Sequence, residues 1–88
     1  MKLKIDKSFV KDTNKIKDTK ILQRIAVCIE QVISSENKEA IINLKKLVGF
    51  KHHYRIRIGD YRIGAIITDE EVIFERFINR KDMYKYYP

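Results

Sequence analysis

Arg55, Arg57 and Arg62 stand at alternate positions on either side of a Gly59-Asp60 dipeptide, in the run Tyr54-Arg55-Ile56-Arg57-Ile58-Gly59-Asp60-Tyr61-Arg62-Ile63. Alternation with period two marks half-buried strands, and Gly-Asp between two such runs marks a two-residue hairpin turn. A two-residue turn sets Ile58 opposite Tyr61, Arg57 opposite Arg62, Ile56 opposite Ile63 and Arg55 opposite Gly64. Side chains alternate across a sheet, so all three arginines are expected on one face. Tyr54, Ile56, Ile58, Tyr61 and Ile63 then take the other face, under whatever covers the sheet. Like charges directly opposite each other are destabilising by some tenths of a kcal/mol. Stability alone would not choose that pairing; an anion seated between Arg57 and Arg62 would. Guanidinium is a planar fork matched to phosphate or carboxylate, so the chemistry expected here is the gripping of a polyanion.

Gly64 sharpens the expectation. A glycine inside a strand weakens it and often marks close approach of a ligand or of another backbone. Opposite Arg55 it would leave open space beside the arginine row. The plainer alternative is a solvated sheet face on which arginines serve as long amphipathic covers.

Arg76 and Arg80 join the row or leave it according to the next turn. A two-residue turn puts both on the face away from Arg62. A three-residue turn, Asp69-Glu70-Glu71, pairs Thr68 with Val72 and brings Arg76, Ile78 and Arg80 onto the arginine face, with Ile73 and Phe77 in the core. The three-residue turn is preferred. Among other candidates, His52-His53 could move protons near neutral pH, but histidines beside a strand are more often surface residues. Cys28 belongs to an apolar helix stripe and reads as core. Ser34-Ser35 ends a helix without a partner resembling a base. No spaced His/Cys/carboxylate set and no glycine-rich phosphate loop occurs, so neither metal nor cofactor is expected. Tyr84 either stacks on a base or packs the tail on the sheet; Tyr86 and Tyr87 read as packed or exposed.

The elements that must position these residues follow from periodicity. Lys2-Leu3-Lys4-Ile5 alternates as a short strand with Leu3 and Ile5 inward. Asp6 can cap a short helix with Phe9, Thr13 and Ile16 on one face. Ile21, Leu22, Ile25, Cys28, Ile29, Val32 and Ile33 form an amphipathic helix stripe, so a helix is predicted over 19–34. Residues 36–50 fit either a turn or two of helix ending at Gly49 or an irregular packed connection. The hairpin, a strand to Thr68, a turn and a strand over 72–79 complete a meander, and 81–87 closes as a short aromatic tail. The fold class is α+β: an N-terminal strand, two helices, then a three-stranded antiparallel meander with the helices packed on one sheet face. The first strand can add to an edge.

Bulk properties agree. Eighty-eight residues make one domain, 1–88, burying about 60–65% of its unfolded surface. The formal charge of +7 and pI near 9.6 point to nucleic acid, an anionic membrane or an acidic protein. Lysine dominates residues 1–50, where Arg24 is the only arginine, while arginine dominates 51–88. A single cysteine allows no internal disulfide and fits a reducing compartment. With no apolar leader and no membrane-length apolar run, a soluble, cytoplasmic protein is expected.

Two stretches resemble the RelE/ParE toxins of bacterial type II toxin–antitoxin systems. Lys45-Lys46-Leu47-Val48-Gly49 followed by residues 54–63 is similar to the family's central strand–turn–strand signature. Phe77-Ile78-Asn79-Arg80-Lys81-Asp82-Met83-Tyr84 resembles its arginine-to-tyrosine segment. The resemblance implies a RelE-like fold and, by the family's ribonuclease members, metal-free cleavage of mRNA in the ribosomal A site with the RNA 2′-hydroxyl as nucleophile. Arg55, Arg57, Arg62, Arg80 and Tyr84 match the family's catalytic positions: the arginines would hold the scissile phosphate, and Tyr84 would orient a base or move a proton. It implies as partners a cognate antitoxin, acidic and partly disordered, together with mRNA and the ribosome, and no membrane. The sequence departs from the family in two places. Some members carry lysine where this chain has Arg55 and Arg57, and many carry histidine where it has Asn79. Arginine does not readily give up its proton, so the general base is unassigned. A ParE-type gyrase inhibitor on the same fold is therefore the alternative.

Overall fold

The structure, a computed structural model, describes residues 1–88. Its elements are β1 (Lys2–Ile5), α1 (Lys7–Asn14), α2 (Thr19–Ser34), a 3₁₀ turn (Lys38–Ala40), β2 (Leu44–Lys46), β3 (His53–Ile58), β4 (Tyr61–Ile67), β5 (Glu71–Asn79) and α3 (Arg80–Tyr86). One five-stranded sheet runs in the order β1-β5-β4-β3-β2, with β1 parallel to β5 and every other pair antiparallel. No helix is long and apolar enough to cross a membrane.

Helix α2 occupies the predicted span, and the Asp18 side chain accepts a hydrogen bond from the Lys20 N–H, which satisfies one orphan donor of the first turn. Ile25, Cys28 and Val32 are buried along its inner stripe, while Leu22 and Ile33 on the flanks stay exposed. Asp6 stands at the N-cap of α1 without capping through its side chain. Phe9 is the buried residue of α1, and Ile16 packs on the core just past the helix end. In β1, Leu3 packs on the core as expected. Ile5, expected inward, is 43% exposed because it ends an edge strand that has a neighbour on one side only.

The principal core lies between the sheet and α1/α2 and includes Tyr54, Ile56, Ile58, Ile63, Ala65, Ile67, Val72, Phe74 and Phe77. Phe9 sits 5.3 Å from Phe74 and 6.0 Å from Phe77, ring centroid to centroid. Burial pushes the Cys28 thiol up to about 11. A second, smaller cluster of Ile78, Met83 and Tyr87, with Leu47 beside it, holds α3. Ile78 lies opposite Arg62 on β4, so this cluster is on the sheet face away from α1 and α2. The helices therefore do not all share one face, because the chain end turns back over the opposite side.

Residues 44–46, for which neither helix nor irregular connection holds, are the short edge strand β2, paired with β3 through Leu44–Ile56, Lys45–Arg55 and Lys46–Tyr54. Three residues are too few to show a period, and only the neighbouring strand selects the extended form. Gly49 (φ +84°) turns the chain in a loop where Val48 is almost fully exposed.

The second turn differs from the preferred reading. Ile67, not Thr68, faces Val72, and the Thr68 N–H donates to the Glu71 carbonyl at 3.0 Å, so Asp69-Glu70 is a two-residue turn. That register sends Val72 and Phe74, rather than Ile73, into the core. Between Ala65–Phe74 and Gly64–Arg76 the register shifts by one, leaving Glu75 unpaired as a β-bulge. Beyond the bulge the strand follows the other register: Phe77 enters the core and Ile78 joins the arginine face. Both patterns are present, one on each side of Glu75.

The bulge also removes Arg76 from the arginine row. Its Nε donates to Asp12 Oδ2 at 2.7 Å and its Nη2 to Oδ1 at 3.3 Å. Asp12 Oδ2 accepts the Phe77 N–H at 2.9 Å as well, and the Asp12 side chain is only 12% exposed. Asp12→Ala is expected to lower stability by about 2 kcal/mol in urea unfolding followed by circular dichroism, because it strands three N–H donors at once, two of Arg76 and one of Phe77. At pH 8 the native Cys28 thiol should react with a disulfide reagent about 100-fold more slowly than in the denatured chain, since its folded value of about 11 lies above the ordinary 9.0.

Candidate active site

The turn that sets the site is Gly59-Asp60. Gly59 has φ +57°, and a positive φ at the first central residue alone is the type II′ hairpin pattern that glycine favours. The resulting ladder is Ile58–Tyr61, Arg57–Arg62, Ile56–Ile63 and Arg55–Gly64. Arg55, Arg57 and Arg62 thus lie on one face, opposite α1 and α2. Arg80, the first residue of α3, is brought in from the chain end: its N–H donates to the Asp60 carbonyl at 2.9 Å, tying the helix start to the hairpin turn. Asn79 is the N-cap, its Oδ1 accepting the Lys81 N–H at 3.0 Å. Asparagine at this position is accounted for by capping, for which it is among the best residues.

Two hollows adjoin on this face. One of about 390 Å³ is lined by Arg55, Arg62, Arg80, Lys81 and Tyr84. The other, of about 270 Å³, is lined by Asn43, Leu44, Lys45, Arg55, Arg57 and Arg62. Arg55 and Arg62 belong to both, so they form the shared wall. No carboxylate neutralises this group. The ion pairs of the molecule are Lys4–Glu71 and Arg76–Asp12, neither of which touches it.

Arg62 is held in place by its own turn: Nη1 donates to the Gly59 carbonyl at 2.9 Å and to the Tyr61 carbonyl at 2.8 Å. Its guanidinium is pushed below its ordinary value first by burial, then by the repulsion of Arg55, Arg57 and Arg80. It stays charged at neutral pH because the ordinary value is so high. The physical meaning is a concentration of positive charge that an arriving anion would relieve. Arg55 Nη1 is 3.4 Å from the Tyr84 hydroxyl, and its guanidinium carbon lies 6.0 Å from the Tyr84 ring centre. Tyr84 is 79% exposed, which leaves its ring face open to a stacking partner.

Of the residues singled out from the sequence, Arg55, Arg57, Arg62, Arg80 and Tyr84 come together, and Arg76 does not. His53 packs among Phe50 and Tyr87 rather than in either hollow, and His52 is exposed. Gly64 was expected to leave open space. Instead the Tyr87 ring fills it: a Cβ on Gly64 would sit 2.8 Å from three ring atoms. Lys45 and Lys81 line the hollows and were not singled out. Lys81 follows Arg80 directly and could have been weighed with it, whereas Lys45 becomes visible only once β2 is known to pair with β3.

A mixed sheet backed by two helices, with arginines that no carboxylate pairs collected on its other face, defines a small basic α+β domain. The chain belongs to the ParE toxin family of type II toxin–antitoxin systems, whose family pattern matches residues 3–84. It is 37% identical over 89 residues to the toxin RelE3 of Methanocaldococcus jannaschii, with 100% of both chains covered. Its structure is similar to one in the RelB–RelE antitoxin–toxin complex from Methanococcus jannaschii, with TM-score 0.80, 35% identity, and 97% and 99% of the two chains covered. The archaeal RelE–RelB complex of Pyrococcus horikoshii shares the fold at TM-score 0.71 and 22% identity, covering 90% of this chain and 93% of that one. The RelE-like fold and the toxin class are thereby established.

The double substitution Arg57→Ala with Arg62→Ala should leave far-UV circular dichroism unchanged, because both side chains point away from the principal core. For a short single-stranded oligonucleotide used as a polyanion, the slope of log affinity against log salt should become shallower by about 1.4, two lost phosphate contacts at about 0.7 each.

Proposed function

We propose that this toxin is a metal-independent endoribonuclease that cleaves ribosome-bound mRNA in the cytoplasm and so inhibits translation. The observation that carries the reading is the convergence of Arg55, Arg57, Arg62 and Arg80, with no carboxylate among them, around hollows bordered by an exposed tyrosine. In the reaction the RNA 2′-oxygen forms a bond to the adjacent phosphorus, the bond from phosphorus to the 5′-oxygen breaks, and the 2′-proton leaves as the 5′-oxygen gains one. The products carry a 2′,3′-cyclic phosphate and a 5′-hydroxyl. Charge grows on the phosphate oxygens during this exchange, and preorganised guanidinium groups stabilise it without having to reorganise. Arg62, clamped by two carbonyls, supplies the most rigid of these donors, and Tyr84 orients the flanking base. The groups lining the hollows that can exchange a proton are the amines of Lys45 and Lys81 and the phenol of Tyr84.

The partner that fits the family and the charge is a cognate antitoxin, acidic and partly disordered, folding over the basic surface. A groove of about 450 Å³ between α2 and β3 offers it apolar anchors at Val27 and Ile42, with Lys20, Arg24 and Arg57 beside them. Arg57 lines both this groove and the arginine face, so one acidic segment could neutralise the two together.

A gyrase inhibitor of the ParE type is the second reading. It is favoured by the lack of a histidine or carboxylate base among the lining residues.

Expression without antitoxin decides between them. Growth arrest with transcripts cut to 5′-hydroxyl ends is expected, and Arg57→Ala with Arg62→Ala should reduce cleavage by about 100-fold or more. Arrest with intact transcripts and a DNA-damage response would move the assignment to gyrase. A double variant that still kills would remove the arginine face as the site.

A further inference from the structure

Helix α3 carries Arg80, Lys81 and Tyr84 to the arginine face, yet it is only seven residues long and buries Met83 alone among its own side chains. A helix this short has no stability of its own in water. Its first turn is held by the Asn79 cap and by the Arg80 N–H to Asp60. Its far end, beyond Tyr84, is held by the next residue after the helix.

Tyr87 is 8% exposed, and its ring lies against Gly64, where any side chain would collide with it. Its hydroxyl donates to Glu75 Oε1 at 2.7 Å. Its N–H donates to the Met83 carbonyl at 3.1 Å, continuing the helix ladder, and the His53 ring centre lies 5.8 Å away. Gly64 and Glu75 are the two places where the sheet departs from regularity, an interior glycine and the unpaired residue of a bulge. Each weakens the strands around it. A single side chain uses both, the glycine as a seat for the ring and the bulged glutamate as an acceptor for the hydroxyl.

We propose that Tyr87 is a positioning residue that keys α3 onto the sheet at Gly64 and Glu75, and so holds Tyr84 and Lys81 over Arg55 and Arg62. Tyr87 lines neither hollow on the arginine face and acts only through the helix it anchors. The raised proton affinity of its buried hydroxyl, set by burial and then by Glu75, keeps it a donor throughout the neutral range. An ångström-scale shift of positioning groups costs up to about 100-fold in rate, so the effect should fall on turnover. The catalytic consequence rests on the ribonuclease reading; the anchoring does not.

The test compares Tyr87→Ala, Tyr87→Phe and Gly64→Ala in the full chain, by amide hydrogen exchange and by RNA cleavage kinetics. Tyr87→Ala should speed exchange at residues 84–87 by about tenfold or more, with β3–β5 still protected, and lower kcat by about tenfold with KM within about threefold. Gly64→Ala, which drives the ring from its seat, should reproduce both changes. Tyr87→Phe keeps the ring and should restore kcat to within about threefold. Unchanged exchange in Tyr87→Ala, a loosened helix with unchanged kcat, or general loss of protection across β3–β5 would each overturn the proposal. So would Tyr87→Phe with kcat as low as in Tyr87→Ala but wild-type exchange at residues 84–87, because the hydroxyl would then act other than by anchoring the helix. If the wild-type protein leaves RNA intact, the nuclease reading fails by itself, and exchange alone decides the anchoring.

Discussion

Two arginines facing each other across a hairpin are the constraint on which the rest of the molecule depends. Gly59-Asp60 leaves the chain no other register, so Arg57 and Arg62 must oppose each other, and their repulsion has to be borne by the surrounding fold. It is borne by the opposite face of the same strands, where Tyr54, Ile56, Ile58 and Ile63 are buried under α2 and contribute about 1.5–3 kcal/mol each. A few tenths of a kcal/mol of repulsion is small against that. The apolar face of β3 and β4 therefore permits a polar face that would not form in isolation.

The bulge at Glu75 solves a related conflict on β5. Before it, the two-residue turn places Val72 and Phe74 in the core; after it, Phe77 takes that place and Ile78 turns to the other side. Without the extra residue, one end of the strand would bury the wrong set. The same shift hands Arg76 to Asp12, where it fastens α1 to the sheet, and leaves the arginine face to residues that no carboxylate occupies. One arginine is thus tied up in an ion pair, while Arg55, Arg57, Arg62 and Arg80 have no carboxylate partner.

That face is completed by the chain end rather than by the sheet. Ile78, Met83 and Tyr87 build a small apolar cluster beside the charged hollows, and this cluster holds the seven-residue helix that presents Arg80 and Tyr84 there. A charged surface and a packed one share a single side of the sheet, with Gly64 as the seam: it lies opposite Arg55 on one strand and beneath Tyr87 from above.

Short-range physics made the hairpin and α2 legible in the residues themselves. A two-residue turn and a period of two determine which side chains oppose each other, and an apolar stripe with Asp18 before it determines a helix. The convergence of Arg55, Arg57 and Arg62 needed nothing more than that. Other features depend on contacts far apart in the chain and have no local signature. Lys45 reaches the site because β3 selects an extended form for three residues that show no period. Arg76 leaves it because Asp12, on a helix distant in sequence, captures the guanidinium at a bulge that no spacing announces. Gly64 showed that something must come close, but whether ligand or protein would fill the gap was decided only when the far end of the chain folded back and Tyr87 took the space.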